Sequence, residues 1–345
     1  MRHAPCCPLA GRPAIKKQAP LTSKRAVPQL ARGANGRGKD LESWRAQPAV
    51  FWAFVLPGAL WLLCFFIAPL ALIWLLAFGE RAGPVEIDIT WTLANYAGVF
   101  DPVYIGLFGR SLWVATVATV LALVIGLPVA LAISFAPARL KPLILLLIIL
   151  PFWTNILIRT YAMIAVLRTK GFVNFGLEYI WQLGTVVLAP FGLDQAVMGE
   201  RFVPLELLYN NTAVIFGIVY VYLPFMVLPL YATLDRLDRS LLEASLDLGA
   251  GQIRTFFSII VPLARPGIVS GIILVFIPAL GTFLISDLLG GTDSLLIGNV
   301  IERQFKAANN WPLGAAMSFV LLYVTFAVLA LRAWVAGREG GLGKA

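Results

Sequence analysis

Histidine is almost absent from this sequence. The one copy is His3, so no histidine-based metal site or catalytic triad can form within the long apolar body of the chain. Cysteine is nearly as scarce. Cys6 and Cys7 adjoin near the start and Cys64 lies inside an apolar run, a spacing that suits neither zinc nor a disulfide framework; acylation of the Cys6-Cys7 pair is the remaining use. A Gly-rich loop ending in Lys-Ser or Lys-Thr is missing, so nucleotide phosphates have no cradle in this chain. Acids are missing from the apolar runs. That argues against a proton-driven carrier and leaves sodium coupling open. A membrane enzyme would need His, Asp, Cys or Ser clustered near one interface, and the sequence offers no such constellation. Catalytic residues and metal ligands are therefore assigned to none of its positions.

What is abundant is hydrocarbon. Hydrophobic residues make up 59% of the 345 positions and charged ones only 13%, about half the charged share of ordinary soluble domains. The apolar residues are bunched into six long runs: Trp52–Phe78, Ser111–Ala138, Pro142–Ile158 (continuing past Arg159 to Leu167), Leu207–Leu234, Pro266–Ser286 and Trp311–Leu331. Each can cover a hydrocarbon core of about 30 Å as a helix, the third only with its tail. The runs are continuous, not alternating, so they predict helices and not barrel strands. The expected class is an all-α integral membrane protein with six transmembrane helices.

A seventh stretch, Tyr179–Leu193, is uncharged but short, and it carries Gly184, Pro190 and Gly192. It suits an interfacial or protein-packed segment better than a span. Charge supports six spans. Six place 19 of the 27 Lys and Arg residues on one side, together with both termini, whereas a seventh would send Arg236, Arg239, Arg254 and Arg265 across. The positive-inside rule makes that side cytoplasmic in an inner (plasma) membrane. The expected organisation is a basic disordered tail over 1–48, a six-span domain over 49–337 and a short cytoplasmic tail over 338–345. The first of these is rich in Lys, Arg, Pro, Gly and Ala without helical periodicity, as expected of a solvated tail near anionic lipid, not of a nucleic-acid binder. It lacks an apolar h-region, so no cleavable signal peptide is expected and the first span serves as an uncleaved anchor.

Between the fourth and fifth runs lies a polar island. Leu241, Leu242, Ala244, Ser245 and Leu248 recur at near-helical spacing and give one apolar face. Asp238 and Glu243 suit a helix start, and Gly249 suits a helix stop. A second short stretch, Gln252–Ile260, follows, and Pro262 is expected to end it. An interfacial helix that merely closes a loop fits these features as well as a docking element does.

The segment resembles the cytoplasmic signature of ABC-importer permeases: Glu-Ala-Ala, three residues, Gly, nine residues, Ile, one residue, Leu-Pro. Glu243, Ala244, Gly249, Ile259 and Pro262 match at those spacings, with Ser245 for the second alanine and Val261 for the leucine. Further stretches, Pro151–Asn155 with Ile158–Ala162, Tyr222–Met226, Asp287–Gly291 and Asn310–Ala316, resemble the spermidine/putrescine branch more than the sulfate, molybdate, iron or thiamine branches. The resemblance spans roughly residues 50–335 and leaves the tail without a counterpart.

The resemblance implies a type I ABC-importer permease fold with a cytoplasmic coupling helix. It implies a pore subunit that is not itself an enzyme and binds no cofactor, with ATP and Mg held by a partner. The implied partners are two ATP-binding subunits docking on the coupling motif, a second permease chain that is usually a different one, and a periplasmic or extracellular substrate-binding protein. Phe172, Phe175, Tyr179, Ile180 and Trp181 give the 168–206 loop the bulk to receive that last partner. The cargo expected is a polyamine, with another small solute of the related branches, or a secondary transporter, as alternatives. Asn155, Tyr161, Thr282, Ser286 and Asp287 are the candidate pathway-lining residues, since polar groups on spans tend to face the protein interior. Pro278 and Gly281 are candidate kinks in the fifth span. Arg159 is the one charge well inside a span. Beside a cationic cargo it would be repulsive, so it is read as structural, placed near the outer interface or paired with a carboxylate. Opposite the motif side, acids outnumber bases eleven to seven, a lean that concentrates cations but also follows from the positive-inside rule.

Overall fold

The computed structural model describes residues 48–83, 86–188 and 202–342. The expected tail over 1–47 and the end of the seventh apolar stretch lie outside them. Residues up to Leu70 fall in one unit and Ala71 onward in another, and each is taken by itself. Five helices are long and apolar enough to cross a membrane, or six when one bent pair counts as a single span.

The first of these, α1 (Phe51–Leu76), is apolar around its whole circumference, the composition of a lipid-facing span. It contains a π-turn at Leu63–Ile67, in which the Ala68 N–H reaches back to the Leu63 carbonyl. Pro69 explains it: proline offers no N–H to the carbonyl of Phe65, and the wider turn absorbs the gap. A short antiparallel hairpin follows, β1 (Gly79–Arg81) with β2 (Ile87–Ile89), pairing Glu80 with Asp88. The hydropathy pattern gave no sign of it. The Asn95 amide on α2 (Ala94–Val99) closes this region by donating to the carbonyls of Ala77 and Gly79.

Helix α3 (Pro102–Phe135) begins nine residues before the expected Ser111, because Asp101 caps it by accepting from the Val103 N–H at 2.9 Å and Pro102 occupies its first position. Its buried side reads Ser111, Val114, Ala115, Ala118, Thr119, Ala122, Gly126, Ala130, Ile133. Steps of three and four place these on one face, and their small size lets neighbours approach closely.

The third run is not a straight span. Helix α4 (Lys141–Ile149) passes into a 3₁₀ turn at Leu150–Trp153, and the segment Ile156–Val186, which opens with α5 (Ile156–Leu167), leaves at 96° to it. Pro151 and the extended Asn155 break the ladder, and the Asn155 side chain restarts it by accepting from the Leu157 N–H at 2.8 Å. Helix α6 (Phe172–Leu188) covers the described part of the seventh apolar stretch. Its Asn174 amide is buried and holds the returning loop from both sides, accepting from Leu205 N–H and donating to Leu205 C=O at 2.9 Å each.

Helix α7 (Asn211–Leu234) forms the centre of the larger unit and is buried along its length. It packs chiefly against α3 and against α9 (Gln252–Gly281). Fully buried Met226 lies between Gly126 of α3 and Gly271 of α9, where added β-carbons would come within 2.9 and 2.6 Å of it. Two features of α9 correct the sequence reading. Pro262 does not end a short helix: α9 runs through it by way of a second π-turn, Phe256–Ile260, two residues ahead of the proline just as in α1. The fifth span ends at Gly281 and not at Ser286, with the backbone extended at Thr282 before α10 (Leu284–Leu289) begins. Pro278 lies inside the continuous helix, so the break falls just after Gly281. Helices α11 (Ile297–Lys306) and α12 (Trp311–Leu342) complete the chain, α12 continuing past the expected Leu331 into the stretch assigned to the C-terminal tail.

At Gly267, a β-carbon would lie 2.8 Å from the Pro229 carbonyl and 2.6 Å from the Thr233 hydroxyl oxygen on α7. Backbone cannot retreat as a side-chain tip can. Gly267→Leu is therefore expected to destabilise the detergent-solubilised protein by about 2 kcal/mol or more. Gly106→Ala, in open space, should leave the thermal midpoint unchanged or slightly raised; equal midpoints for the two variants would refute this packing argument.

Candidate coupling site and membrane pathway

Helix α8 (Arg239–Asp247) is built by its ends. At the start, Asp238 accepts from the Ser240 N–H at 3.0 Å, and this contact holds its carboxyl below the usual carboxylate range. At the close, Gly249 takes a φ of +80°, which an L side chain adopts only with strain. That turn lets the N–H groups of Leu248, Gly249 and Ala250 bond to the carbonyls of Ala244, Leu246 and Ser245.

Ser245, the departure from the family's second alanine, is buried. Its hydroxyl is 2.9 Å from that of Thr255, also buried, on the first turn of α9. The motif segment is thus tied by side chain as well as by sequence to the long apolar helix α9. Glu243 and Ala244 face outward, as do Leu246, Leu248 (89% exposed), Ile253 and Phe257. Leu241, Ala244, Ser245, Leu248, Arg254 and Ile259 line a shallow cavity of about 430 Å³ between α8 and α9. An apolar surface of this kind at a polar end of the protein is suited to protein contact. Pro262 lies beyond it, half-buried within α9. The same end is closed by the Lys141–Asp235 ion pair at 2.6 Å and by the Ser134 hydroxyl donating to the Leu234 carbonyl.

At the opposite end, the break after Gly281 is held by a polar knot. Asn299 on α11 donates to the Phe283 carbonyl at 3.0 Å, accepts from Leu296 N–H and meets the Ser286 hydroxyl. Ser111 on α3 accepts from Ile297 N–H at 2.8 Å. Close packing of Gly298 against the carbonyls of Gly281 and Thr282 completes it.

Among the candidate pathway residues, the structure brings Thr282 and Ser286 together, both buried at this break. Asp287 is exposed one residue further on. Asn155 is exposed with its amide oxygen engaged in capping α5, and Tyr161 projects from the same helix, 58% exposed. Helix α5 packs against α10 and α7. Asn299 and Ser111 were not singled out from sequence. A lone amide in the apolar stretch 295–301 was the available signal for Asn299, and only the fold shows what it satisfies. Arg159 lies on the second turn of α5. Its guanidinium is 5.5 Å from the centre of the Phe152 ring, and its charge reaches the Tyr222 side chain, which also lies beside Thr282. Its buried Nε has no hydrogen-bond partner among the described residues.

Long apolar helices broken at protein-packed points, with a capped amphipathic helix between two of them, define an integral membrane permease. The chain belongs to the family described as binding-protein-dependent transport system inner membrane component, which matches residues 118–339. It is 41% identical over 278 residues to the spermidine/putrescine transport system permease protein PotB of Escherichia coli K12, covering 81% of this chain and 94% of that one. It is 40% identical to the PotB of Haemophilus influenzae, covering 76% and 85%. Among solved structures it resembles a chain of a bacterial ABC transporter that imports the acidic polysaccharide alginate, with a TM-score of 0.58 at 16% identity over 86% of this chain and 99% of that one. This last likeness concerns the fold.

Ser245→Ala removes the tie to Thr255 and leaves that buried hydroxyl unpaired. About 1–2 kcal/mol of local stability should be lost, read as faster amide exchange across residues 239–249, while Thr255→Ala added to Ser245→Ala should cost little more. Full additivity of the two changes would exclude the bond. A second expectation concerns pH. Because the folded-state pKa of Asp238 is lowered, its cap is intact above the ordinary carboxylate value of about 3.9 and is lost as pH falls through the lower folded value. Exchange in the first turn of α8 should accelerate only in that acidic window, and Asp238→Asn should abolish the acceleration.

Proposed function

We propose that this chain is one of two membrane subunits of an ABC importer for polyamines of the spermidine/putrescine class, powered by ATP hydrolysis in separate subunits. The observation that carries the ABC reading is α8: a capped helix with an exposed apolar face, at the family's motif spacing, bonded into α9. The polyamine reading is supported by identity of about two in five residues with permeases named for spermidine and putrescine.

In this reading the α8 end is cytoplasmic, as are both termini, and two nucleotide-binding subunits receive α8 from this chain and its counterpart from the paired permease. ATP and Mg belong to those subunits. A substrate-binding protein meets the opposite end; one of the solved relatives of the same fold is described in complex with a ligand-bound periplasmic protein. Closure of the ATPases draws the docked helices together. Because α8 cannot move without the start of α9, that motion becomes rocking of packed helices, alternating access to the two sides.

The complete transporter in proteoliposomes is expected to accumulate labelled spermidine or putrescine only with ATP and the binding protein present. Sulfate, molybdate, ferric iron or thiamine as the binding protein's ligand would overturn the cargo assignment. Gly249→Trp, which strains the +80° turn and adds bulk at the dock, should abolish uptake while the ATPase subunits still hydrolyse ATP. Uptake at the unaltered rate, with the variant at equal level in the membrane, would show that α8 does not transmit the stroke.

A further inference from the structure

We propose that Arg159 is half of an ion pair between subunits, its guanidinium receiving a carboxylate from a span of a different, paired permease chain. The proposal rests on the two-permease reading above and adds to it which residue the pairing needs.

The argument begins with a charge that lacks compensation. Arg159 follows Ile156-Leu157-Ile158 in an apolar stretch, and its Nε is buried without a hydrogen-bond partner. Its guanidinium lies 5.5 Å from the centre of the Phe152 ring, and its charge reaches the Tyr222 side chain. Both are polarisable and neither is an anion. The ion pairs among the described residues are Lys141–Asp235 and Glu302–Lys306, and neither involves it. A charged side chain at membrane depth is retained where it meets an opposite charge or a water-filled cavity. This chain cannot provide that charge from a span: the runs 51–76, 102–135, 141–167, 211–234, 252–281 and 311–330 contain no Asp or Glu. A second copy has the same acid-free spans, so the complementary carboxylate belongs to a different chain.

The surroundings fit a protein partner. Trp153 is 83% exposed, Ile158 66% and Tyr161 58%, so α5 and the turn before it leave a large indole, an aliphatic side chain and a phenol uncovered in the stretch that carries the arginine. Trp, Tyr and Arg together are the residues that most often anchor protein interfaces. Planar guanidinium also matches carboxylate through two parallel hydrogen bonds, a geometry that lysine does not reproduce. A cationic cargo gives an independent reason for the pair. An uncompensated arginine near the route would repel an ammonium ion, and a carboxylate seated on Arg159 removes that repulsion.

The test uses the whole transporter, with ATPases and binding protein, in nanodiscs. A different permease chain should copurify with the unaltered protein; its absence would end the two-chain reading and this proposal together. With it present, Arg159→Glu should lower uptake by about tenfold or more and Arg159→Lys by less. Among the Asp and Glu residues in the spans of the second chain, changed to Arg in turn, one should restore the Arg159→Glu transporter. A physical contact is checked separately. With Cys6, Cys7 and Cys64 changed to Ser, Arg159→Cys should form a disulfide on mild oxidation with a cysteine replacing that acid. Three results would overturn the proposal while leaving the two-chain reading intact. One is Arg159→Gln turning over at the unaltered rate. Another is rescue of Arg159→Glu by Asp287→Arg in this chain, which would make the counter-charge internal. The third is no rescue and no crosslink, with activity tracking anionic phospholipid instead, which would make the counter-charge a lipid phosphate.

Discussion

Everything in this fold answers to one constraint: a backbone N–H or C=O within hydrocarbon must find its partner inside the protein. Uninterrupted helices meet it automatically, but this chain interrupts its helices repeatedly, and four of the interruptions show how the lost bonds are made good. Pro69 and Pro262 remove a donor from a helix ladder, and in both cases a π-turn ending two residues earlier widens the ladder and lets the helix continue. Where the chain does break, short polar side chains supply the missing groups. Asn155 caps α5 after the bend at 150–155, and Asn299 accepts and donates at once around the break after Gly281. These repairs fix where α5, α10 and α11 lie, and so fix where Arg159, Thr282 and Ser286 come to rest.

Hydropathy made the class legible because spans are long, and motif spacing made α8 legible because its pattern is local. Asp238 as cap and Gly249 as stop are features of twelve consecutive residues, and the structure places both at those tasks. What escaped sequence reading depends on contacts far apart in the chain. Hydropathy averages over Pro151–Asn155 and cannot see a 96° bend, since the residues on both sides remain apolar. It likewise ran the fifth span through Thr282 and Phe283, because the break is stabilised by Asn299, sixteen residues beyond Phe283. The effect of Pro262 was misjudged for a simpler reason: a helix can run through a proline when the ladder before it widens, and here it does.

Ser245 shows how a small departure from a motif can carry structural meaning. Alanine at that position would pack equally well, but it would leave the buried Thr255 hydroxyl without its partner. With serine, the amphipathic helix is joined to the first turn of α9 ten residues later, across the Gly249 turn. The loop becomes a braced corner, and a load applied to its exposed face passes into α9 without a slack segment between them.

That corner and the break after Gly281 lie at opposite ends of one helix. Between them α9 is packed against α7 at two points where glycine permits no separation: Gly267 on Pro229 and Thr233, and Gly271 on Met226. Beyond these contacts the helix ends at the extended backbone of Thr282, a place where displacement arriving from α8 can be taken up. Thr282 in turn lies beside Tyr222, which the charge of Arg159 on α5 reaches. In a transporter driven from α8, the place where the chain can yield and the half-buried arginine whose Nε lacks a partner are therefore linked through one tyrosine. A carboxylate held by Arg159 would be loaded or released by the same movement that changes access, which gives the arginine a reason to be retained at the cost of placing a cation in the membrane.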